Sequence, residues 1–216
     1  MKPVTLPSCD AQESGSISVP TTVTIAAEPL TTSSFSPFGQ VIAGPQPASP
    51  SASSMPYTLV NQGSASKYSI LGRLQSLFEH RAEAQINFHI YRCNSIPISQ
   101  FPLGISMLER HSYSSQSFVP LASPSHPGRY LIVVALNGAD DRPDLFTLRA
   151  FLAESSQAFV YRPGTWHLPM TPIGGEEGAE SNWLDFACIV AESASMPELN
   201  CEEYWWPQSP AAHIRM

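Results

Sequence analysis

Alternation of apolar and polar residues dominates the chain from Tyr57 onward, in short segments separated by turn residues. A period of two is typical of strands with one buried face, and helical periodicity is scarce. The sequence therefore predicts a mainly β fold, an antiparallel barrel or sandwich with few short helices. A further strand is predicted within Val19–Leu30, from the β-branched run Val23-Thr24-Ile25. The other predicted strands are Gln85–Arg92, Ile105–His111, Ser117–Leu121, Arg129–Leu136, Thr147–Ala153, Ala158–Arg162, His167–Met170 and Trp183–Val190.

The N-terminal third differs in composition from the rest. Residues 1 to 66 hold nine of the 21 prolines and a single basic residue, Lys2. We interpret residues 1–19 as a flexible leader and residues 44–56 as a Pro/Ser-rich loop. Residues 20–216 are then predicted to form a single domain, whose tail, residues 196–216, packs across the outside.

Length and charge narrow the classes of partner. A chain of 216 residues is expected to form one domain, and its formal charge is −7. The basic residues are spread singly, so no cluster is available to neutralise phosphates, and nucleic acid is excluded as a partner. The longest apolar run, Tyr130 to Leu136, is far below the roughly 20 residues of a membrane-spanning helix, so no membrane association is expected. The expected partner is a small molecule.

Cysteine spacing and the N-terminal residues suggest a cytoplasmic protein. The cysteines at 9, 93, 188 and 201 show no C-x-x-C spacing, which favours reduced thiols over a disulfide or zinc framework. The first residues contain no apolar stretch typical of a secretory signal.

Leu108-Glu109-Arg110-His111, followed by Gln116, is the most informative local pattern. In a strand, Glu109 and His111 face the same side and Arg110 the opposite side. This pattern has two interpretations, a strand running out into solvent or a pair of ligands or acid–base groups in a barrel mouth.

A second pattern is Tyr161-Arg162-Pro163-Gly164-Thr165-Trp166-His167. Pro-Gly favours a tight turn, after which a strand starting at His167 would place the imidazole at a fixed position in the barrel. Taken alone, His167 is either a packed, hydrogen-bonded residue or a ligand or base.

Together, the Glu-x-His strand and the later Pro-Gly-x-x-His turn resemble the two ligand motifs of the cupin superfamily. The barrels of that superfamily hold small anionic substrates, often on a metal. The resemblance implies a cupin-like β-barrel for this chain.

Further segments follow one another in a characteristic order along the chain. They are Phe35 to Ile42, Asn61-Gln62-Gly63 with Tyr68, Leu108 to His111, Arg129 to Leu136, Arg142 to Phe151, Trp166 to Pro169 and Asp185-Phe186. Taken in this order, they resemble the ureidoglycolate lyase family over residues 21 to 195. The resemblance implies a cupin-like, dimeric enzyme that splits ureidoglycolate into glyoxylate and urea in allantoin breakdown.

That reaction needs a base for the substrate hydroxyl, an acid for the departing nitrogen and a clamp for the carboxylate. His167 or Glu109 is assigned as the base, and His111 as the partner acid or a metal ligand. The substrate-binding candidates are the three cations Arg92, Arg110 and Lys67, together with Asn61 and Tyr161.

No cofactor is required by this chemistry, and a divalent metal ion is left open. Glu109, His111, Gln116 and His167 would supply its ligands, and the ion would act as a Lewis acid. The same two histidines and carboxylate form the facial set of non-haem Fe(II) oxygenases, which is the rival enzyme class. Two further alternatives are a ureidoglycolate amidohydrolase, which would release ammonia, and a non-catalytic barrel that binds a small acid.

A homodimer is expected from the family resemblance, from the apolar strand faces and from the tail aromatics Trp205 and Trp206.

Overall fold

The computed structural model describes residues 22–44, 55–121, 128–174, 183–207 and 210–216. The short helix α1 spans Thr32–Phe35, and single 3-10 turns span Asn61–Gly63, His80–Ala82, Ile98–Gln100, Leu145–Thr147 and Pro197–Leu199. No helix in these ranges is long and apolar enough to cross a membrane. The strands are β1 (Val23–Ala26), β2 (Glu28–Pro29), β3 (Gly39–Ile42), β4 (Thr58–Val60), β5 (Ala65–Lys67), β6 (Gln85–Asn94), β7 (Leu103–Ile105), β8 (Met107–Arg110), β9 (Gln116–Pro120), β10 (Arg129–Ala135), β11 (Arg149–Glu154), β12 (Ala158–Tyr161), β13 (Trp166–His167), β14 (Thr171–Ile173), β15 (Trp183–Glu192), β16 (Glu202–Trp205) and β17 (Ala212–Arg215).

Two facing sheets form the body of the fold. One has the strand order β16-β8-β13-β10-β11-β2, with β14 also paired to β10, and the other has the order β3-β12-β9-β15-β6. A smaller sheet, β1-β17-β7, and the hairpin β4-β5 complete the topology. Most strand pairs are antiparallel, and the prediction of a mainly β, cupin-like fold with few short helices is confirmed.

An aromatic core fills the space between the two large sheets. Phe118, Phe159 and Phe186 enter it from the five-stranded sheet, and Tyr130 and Phe151 from the opposite sheet. Burying side chains of this size accounts for much of the favourable free energy of folding.

Strand β10 is covered on both faces, which explains its unbroken apolar sequence. Tyr130 and Ile132 pack into the aromatic core, whereas Leu131 and Val133 pack on the other side against Ile214 and its neighbours. Runs of this kind are expected wherever both faces of a strand are buried.

Residues Phe35 to Ile42 hold the edge strand β3 on the five-stranded sheet. Phe35 and Phe38 are buried in the aromatic core, and β3 pairs with β12. A Cβ atom at Gly39 would lie 2.0 Å from the Val160 carbonyl oxygen, so only glycine fits there.

The C-terminal tail departs from the sequence-based prediction. It does not lie across the outside, because β16 joins the seven-stranded sheet and β17 is the central strand of the three-stranded sheet. Ala212 and Ile214 are completely buried. The tail therefore completes a second apolar core, on the side of β10 that faces away from the aromatic core. Its proline-rich sequence did not indicate this burial.

Several predicted strands have different bounds in the structure. The predicted strand Ile105–His111 is divided into β7 and β8, and His111 follows the end of β8. His167 ends β13 instead of opening a strand, because the chain turns before β14. Within Val19–Leu30 the structure has two short strands, β1 and β2, and residues 19–21 lie outside the described residues. The predicted leader and most of the Pro/Ser-rich loop also lie outside them.

Candidate active site

Glu109 and His167 face each other across a strand pair. Strand β13 lies between β8 and β10, and its register places His167 directly opposite Glu109. The turn at Pro163-Gly164 precedes β13, with Gly164 at a φ of +78°, and the Gly164 amide donates to the His111 carbonyl at 2.9 Å. The turn thus ties the end of β8 to the start of β13. Glu109 and His111 lie on the same side, as the strand alternation predicted.

Backbone carbonyls fix the orientation of both imidazoles. His111 Nδ1 lies 2.6 Å from the Asn200 carbonyl oxygen, and His167 Nδ1 lies 2.9 Å from the Thr165 carbonyl oxygen. Because a carbonyl only accepts, we assign the ring proton to Nδ1 in both residues. Nε2 is therefore the ring nitrogen that each residue offers to the site. The two rings are stacked, with centroids 5.6 Å apart.

Unsatisfied buried polar atoms converge beside these rings. His111 Nε2, His167 Nε2, Gln116 Oε1 and the Tyr161 hydroxyl all lack a hydrogen-bond partner among the described residues. Tyr161 stacks on His167 with centroids 4.2 Å apart, and it pairs opposite Gln116 between β12 and β9. A buried polar group without a partner costs about 1–3 kcal/mol, so such a group of atoms indicates a site where a ligand supplies the missing bonds.

Burial and mutual charge set the protonation states in this cluster. Burial opposes ionisation of Glu109, but its contacts with His167 and His111 outweigh burial and lower the pKa of Glu109. Burial, reinforced by His167, lowers the pKa of His111 to about 4. Burial raises the pKa of Tyr161 well above its usual value. At neutral pH the site therefore holds a carboxylate, a neutral His111 and a protonated phenol.

One ligand atom from each of Glu109, His111 and His167 can be chosen so that all lie within 4.8 Å of one another. His167 Nε2 is 3.5 Å from Glu109 Oε1. A bare imidazole lone pair facing a carboxylate is repulsive, so either a proton or a cation belongs between them. Both a proton relay and a metal centre are compatible with this arrangement.

Arg110 lies on the opposite side of β8, where the structure does not bring it to the cluster. Its guanidinium donates to Asp141 and Glu202 and to the Asn137 side chain, and stacks on Trp166 at 4.5 Å. The Trp166 indole also donates to Asn137. This network, which we call the Arg110 network, joins β8, β13 and β16 directly behind Glu109 and His167.

The remaining predicted substrate-binding residues lie elsewhere. Arg92 points to the outer face of β6, where it makes two hydrogen bonds with Asp185 and lies 3.9 Å from the Trp183 ring centroid. Asn61 and Lys67 are exposed on the β4-β5 hairpin. Among the described residues, no hydrogen bond or ion pair joins these three side chains to the cluster.

The sequence analysis did not predict several residues that lie beside the site. Cys201 Sγ lies 4.0 Å from Glu109 Oε2, and the Gln116 side chain is within hydrogen-bonding reach of the Cys188 thiol. Tyr91 packs on Phe118 and interacts electrostatically with Glu109. The alternation in β6 would have placed Tyr91 on the outer face, because Ile86, Phe88 and Ile90 form the apolar face of that strand. Cys201 and Asn200 carry no such signal, because their position depends on how the tail docks.

Comparisons with known proteins agree with this picture. The family model described as ureidoglycolate lyase matches residues 22–213. Ureidoglycolate lyase of Saccharomyces cerevisiae is 34% identical over 194 residues, covering 84% of this chain and 93% of the yeast protein. The Schizosaccharomyces pombe enzyme of the same name is 32% identical over 159 residues, covering 70% of this chain and 80% of its own length. Ureidoglycolate lyase of Pseudomonas syringae pv. tomato is 32% identical over 186 residues, covering 86% of this chain and 92% of the bacterial protein. The chain belongs to the ureidoglycolate lyase family.

Proposed function

We propose that this protein is a carbon–nitrogen lyase that cleaves ureidoglycolate to glyoxylate and urea. The observation that carries the proposal is that His111, His167, Gln116 and Tyr161 each have a buried polar atom without a partner, in the side-chain cluster that contains Glu109. The family to which the chain belongs supplies the substrate.

Ureidoglycolate is a hemiaminal, in which one carbon carries a carboxylate, a hydroxyl and a ureido nitrogen. Cleavage removes the hydroxyl proton, forms the aldehyde C=O and breaks the C–N bond, whose electron pair stays on nitrogen. The nitrogen then takes a proton and leaves as urea. The net change moves one proton from oxygen to nitrogen, so one relay is sufficient and no electron acceptor is needed.

Glu109 is the base in this proposal. It is ionised at neutral pH, and its side chain is 23% exposed, so a substrate hydroxyl can reach it. His167 Nε2, 3.5 Å from that carboxylate, shares the proton and delivers it to the departing nitrogen. Neutral His111 presents its Nε2 lone pair to an N–H group of the substrate, and the protonated Tyr161 phenol donates to a substrate oxygen.

The same donors fit a divalent metal ion. Both imidazoles hold their Nδ1 proton against a carbonyl, which is the arrangement that orients metal-binding histidines. Glu109, His111 and His167, with Gln116 Oε1, would hold the ion, which would lower the pKa of a bound hydroxyl. Metal analysis of the purified protein, followed by chelation, decides between the two arrangements. Full turnover by metal-free protein would rule out the metal centre and support the proton relay.

Incubation with ureidoglycolate tests the function, with urea, glyoxylate and ammonia measured against spontaneous decay. We expect equal amounts of urea and glyoxylate and no ammonia above background. Ammonia release would identify an amidohydrolase, and oxygen consumption would identify an oxygenase. Thermal stabilisation by glyoxylate without turnover would identify a non-catalytic binding barrel.

The protein is proposed to form a homodimer through β6. This strand is ten residues long and lies at the edge of its sheet, and its outward side chains Ile86, Phe88 and Ile90 are 67%, 65% and 56% exposed. A long edge strand with an apolar face is prone to pair with another chain. A second copy of this chain offers the same edge and face for a two-fold contact.

We further propose that the reaction belongs to allantoin breakdown in the cytoplasm. Reduced thiols at Cys93, Cys188 and Cys201 are consistent with that compartment. Growth of a deletion strain on allantoin as sole nitrogen source, and imaging of a tagged protein, test the two parts.

A further inference from the structure

A second polar cluster lies on the inner face of the five-stranded sheet. Glu192 ends β15, and its Oε2 accepts from Asn87 Nδ2 at 2.8 Å and lies 2.8 Å from His89 Nε2. Asn87 and His89 alternate with the outward Ile86, Phe88 and Ile90 and therefore share the inner face with Tyr91. Inner faces of sandwich sheets are normally apolar, so three hydrogen-bonded polar side chains at this position need an explanation.

This cluster, which we call the Glu192 cluster, belongs to the same groove as Glu109 and His167. Glu192 and His111 interact electrostatically. The Ser193 amide, next to Glu192, donates to Asn200 Oδ1 at 2.8 Å, and the Asn200 carbonyl oxygen lies 2.6 Å from His111 Nδ1. The strand register agrees, because Val190 of β15 pairs with Gln116 of β9. Both carboxylates therefore line one polar groove on the inner side of the sandwich.

Glu192 is ionised and accessible. Partial burial works against ionisation, but the hydrogen bonds from Asn87 and His89 outweigh it and lower the pKa of Glu192. The side chains of Glu192 and His89 are 28% and 39% exposed. Both donors use Oε2, and within the described part of the chain no donor reaches Oε1. One oxygen is thus held in place and the other retains its lone pairs.

The substrate of the proposed reaction needs such a group. A ureido group is planar and carries neighbouring N–H bonds on its two nitrogens that can point the same way, so both can donate to the free Oε1 of Glu192. With the hemiaminal hydroxyl at Glu109, the ureido end must extend away from it along the groove. A carboxylate that accepts from these N–H bonds also increases the basicity of the departing nitrogen and so favours its protonation.

We propose that Glu192 binds the ureido N–H groups of the substrate, and that Asn87 and His89 are positioning residues that orient its carboxylate. The proposal rests on the proposed lyase function and assigns the specificity of the same site. In this proposal the Glu109 end of the groove deprotonates the hydroxyl, and the Glu192 end binds the ureido group.

N-carbamoylglycine provides a test, because it has the ureido group and carboxylate of the substrate but lacks the hydroxyl and cannot react. Its affinity, measured by calorimetry, is expected to fall about 10- to 100-fold in Glu192→Gln, the loss typical of a charge-assisted hydrogen bond. Glycolate, which lacks the ureido group, should bind both proteins equally. Glu28→Gln, which removes an ion-paired carboxylate of similar exposure on another sheet, should change neither affinity.

Glu192→Asp provides the second variant, since it keeps the charge and withdraws it by one methylene. It should also weaken N-carbamoylglycine selectively while the melting temperature stays close to that of the parent. Unchanged N-carbamoylglycine affinity in either folded variant, or an equal loss for glycolate, would overturn the assignment. These outcomes are distinct from failure of the lyase function, which would appear as no urea from the unmodified protein.

Discussion

His167 Nε2 and Glu109 Oε1 lie 3.5 Å apart on directly paired residues of β13 and β8. The His167 ring cannot turn its other nitrogen toward the carboxylate without losing the Nδ1 contact with the Thr165 carbonyl. The separation is longer than an ordinary hydrogen bond, and it leaves the pair able to tighten around a proton or an ion.

Replacement of His167 by Asn separates the chemistry of the ring from its anchoring. The Asn amide can keep the bond to the Thr165 carbonyl, whereas Nε2 is removed. We expect kcat to fall by about 10² to 10⁴-fold, the usual contribution of a general acid–base group. His213→Asn on β17 is the matched control and should retain turnover. Near-normal kcat in His167→Asn would show that the imidazole only packs.

The Arg110 network predicts a structural effect. Arg110→Met keeps the aliphatic stem of the side chain but removes the buried guanidinium that pairs with Asp141 and Glu202. We expect a loss of about 1.5–3 kcal/mol in the free energy of unfolding, measured with guanidinium chloride, because the charge-assisted hydrogen bonds to both carboxylates are lost. Arg149→Met removes the more exposed pair with Glu28 and should cost less than about 1 kcal/mol. Equal losses of unfolding free energy in the two variants would show that the Arg110 network stabilises the fold no more than the exposed Arg149–Glu28 pair.

Acid sensitivity should depend on Asp141. Hydrogen bonds from Arg110 and Asn137 lower the pKa of Asp141 from 3.8 to about 2. Because the folded-state pKa lies below the unfolded-state value, this carboxylate stabilises the fold above about pH 4, and the contribution is lost as pH falls toward 2. Asp141→Asn should therefore flatten the loss of melting temperature between pH 4 and 2. If the melting temperature of Asp141→Asn depends on pH as that of the parent does, the Asp141–Arg110 ion pair does not contribute to acid sensitivity.

Charge on the apolar face of β6 should break the proposed dimer. Phe88→Asp places a carboxylate at the centre of that face, and we expect light scattering to report a monomer mass where the unmodified protein gives a dimer. Phe146→Asp is the matched control, because Phe146 is fully exposed on a 3-10 turn away from β6. A monomer in the unmodified protein, or a dimer in Phe88→Asp, would contradict the proposed interface.

Local sequence determined the elements that carry the site. Period-two alternation is a property of each strand by itself, so it placed Glu109 and His111 on one face and Arg110 on the other. The ordered family-like segments also pointed to the ureidoglycolate lyase family, which the comparisons confirm. The turn at Pro163-Gly164 likewise has its own local chemistry, and the structure places it before β13.

Only the tertiary structure decided which atoms meet. The Nδ1 partner of His111 is the carbonyl of Asn200, 89 residues away, and Arg110 bonds to Glu202, 92 residues away. Such contacts depend on which strands become neighbours, and that is settled by the burial of the whole apolar surface and not by any one segment. For the same reason the tail residue Ile214 lies in a core instead of on the surface.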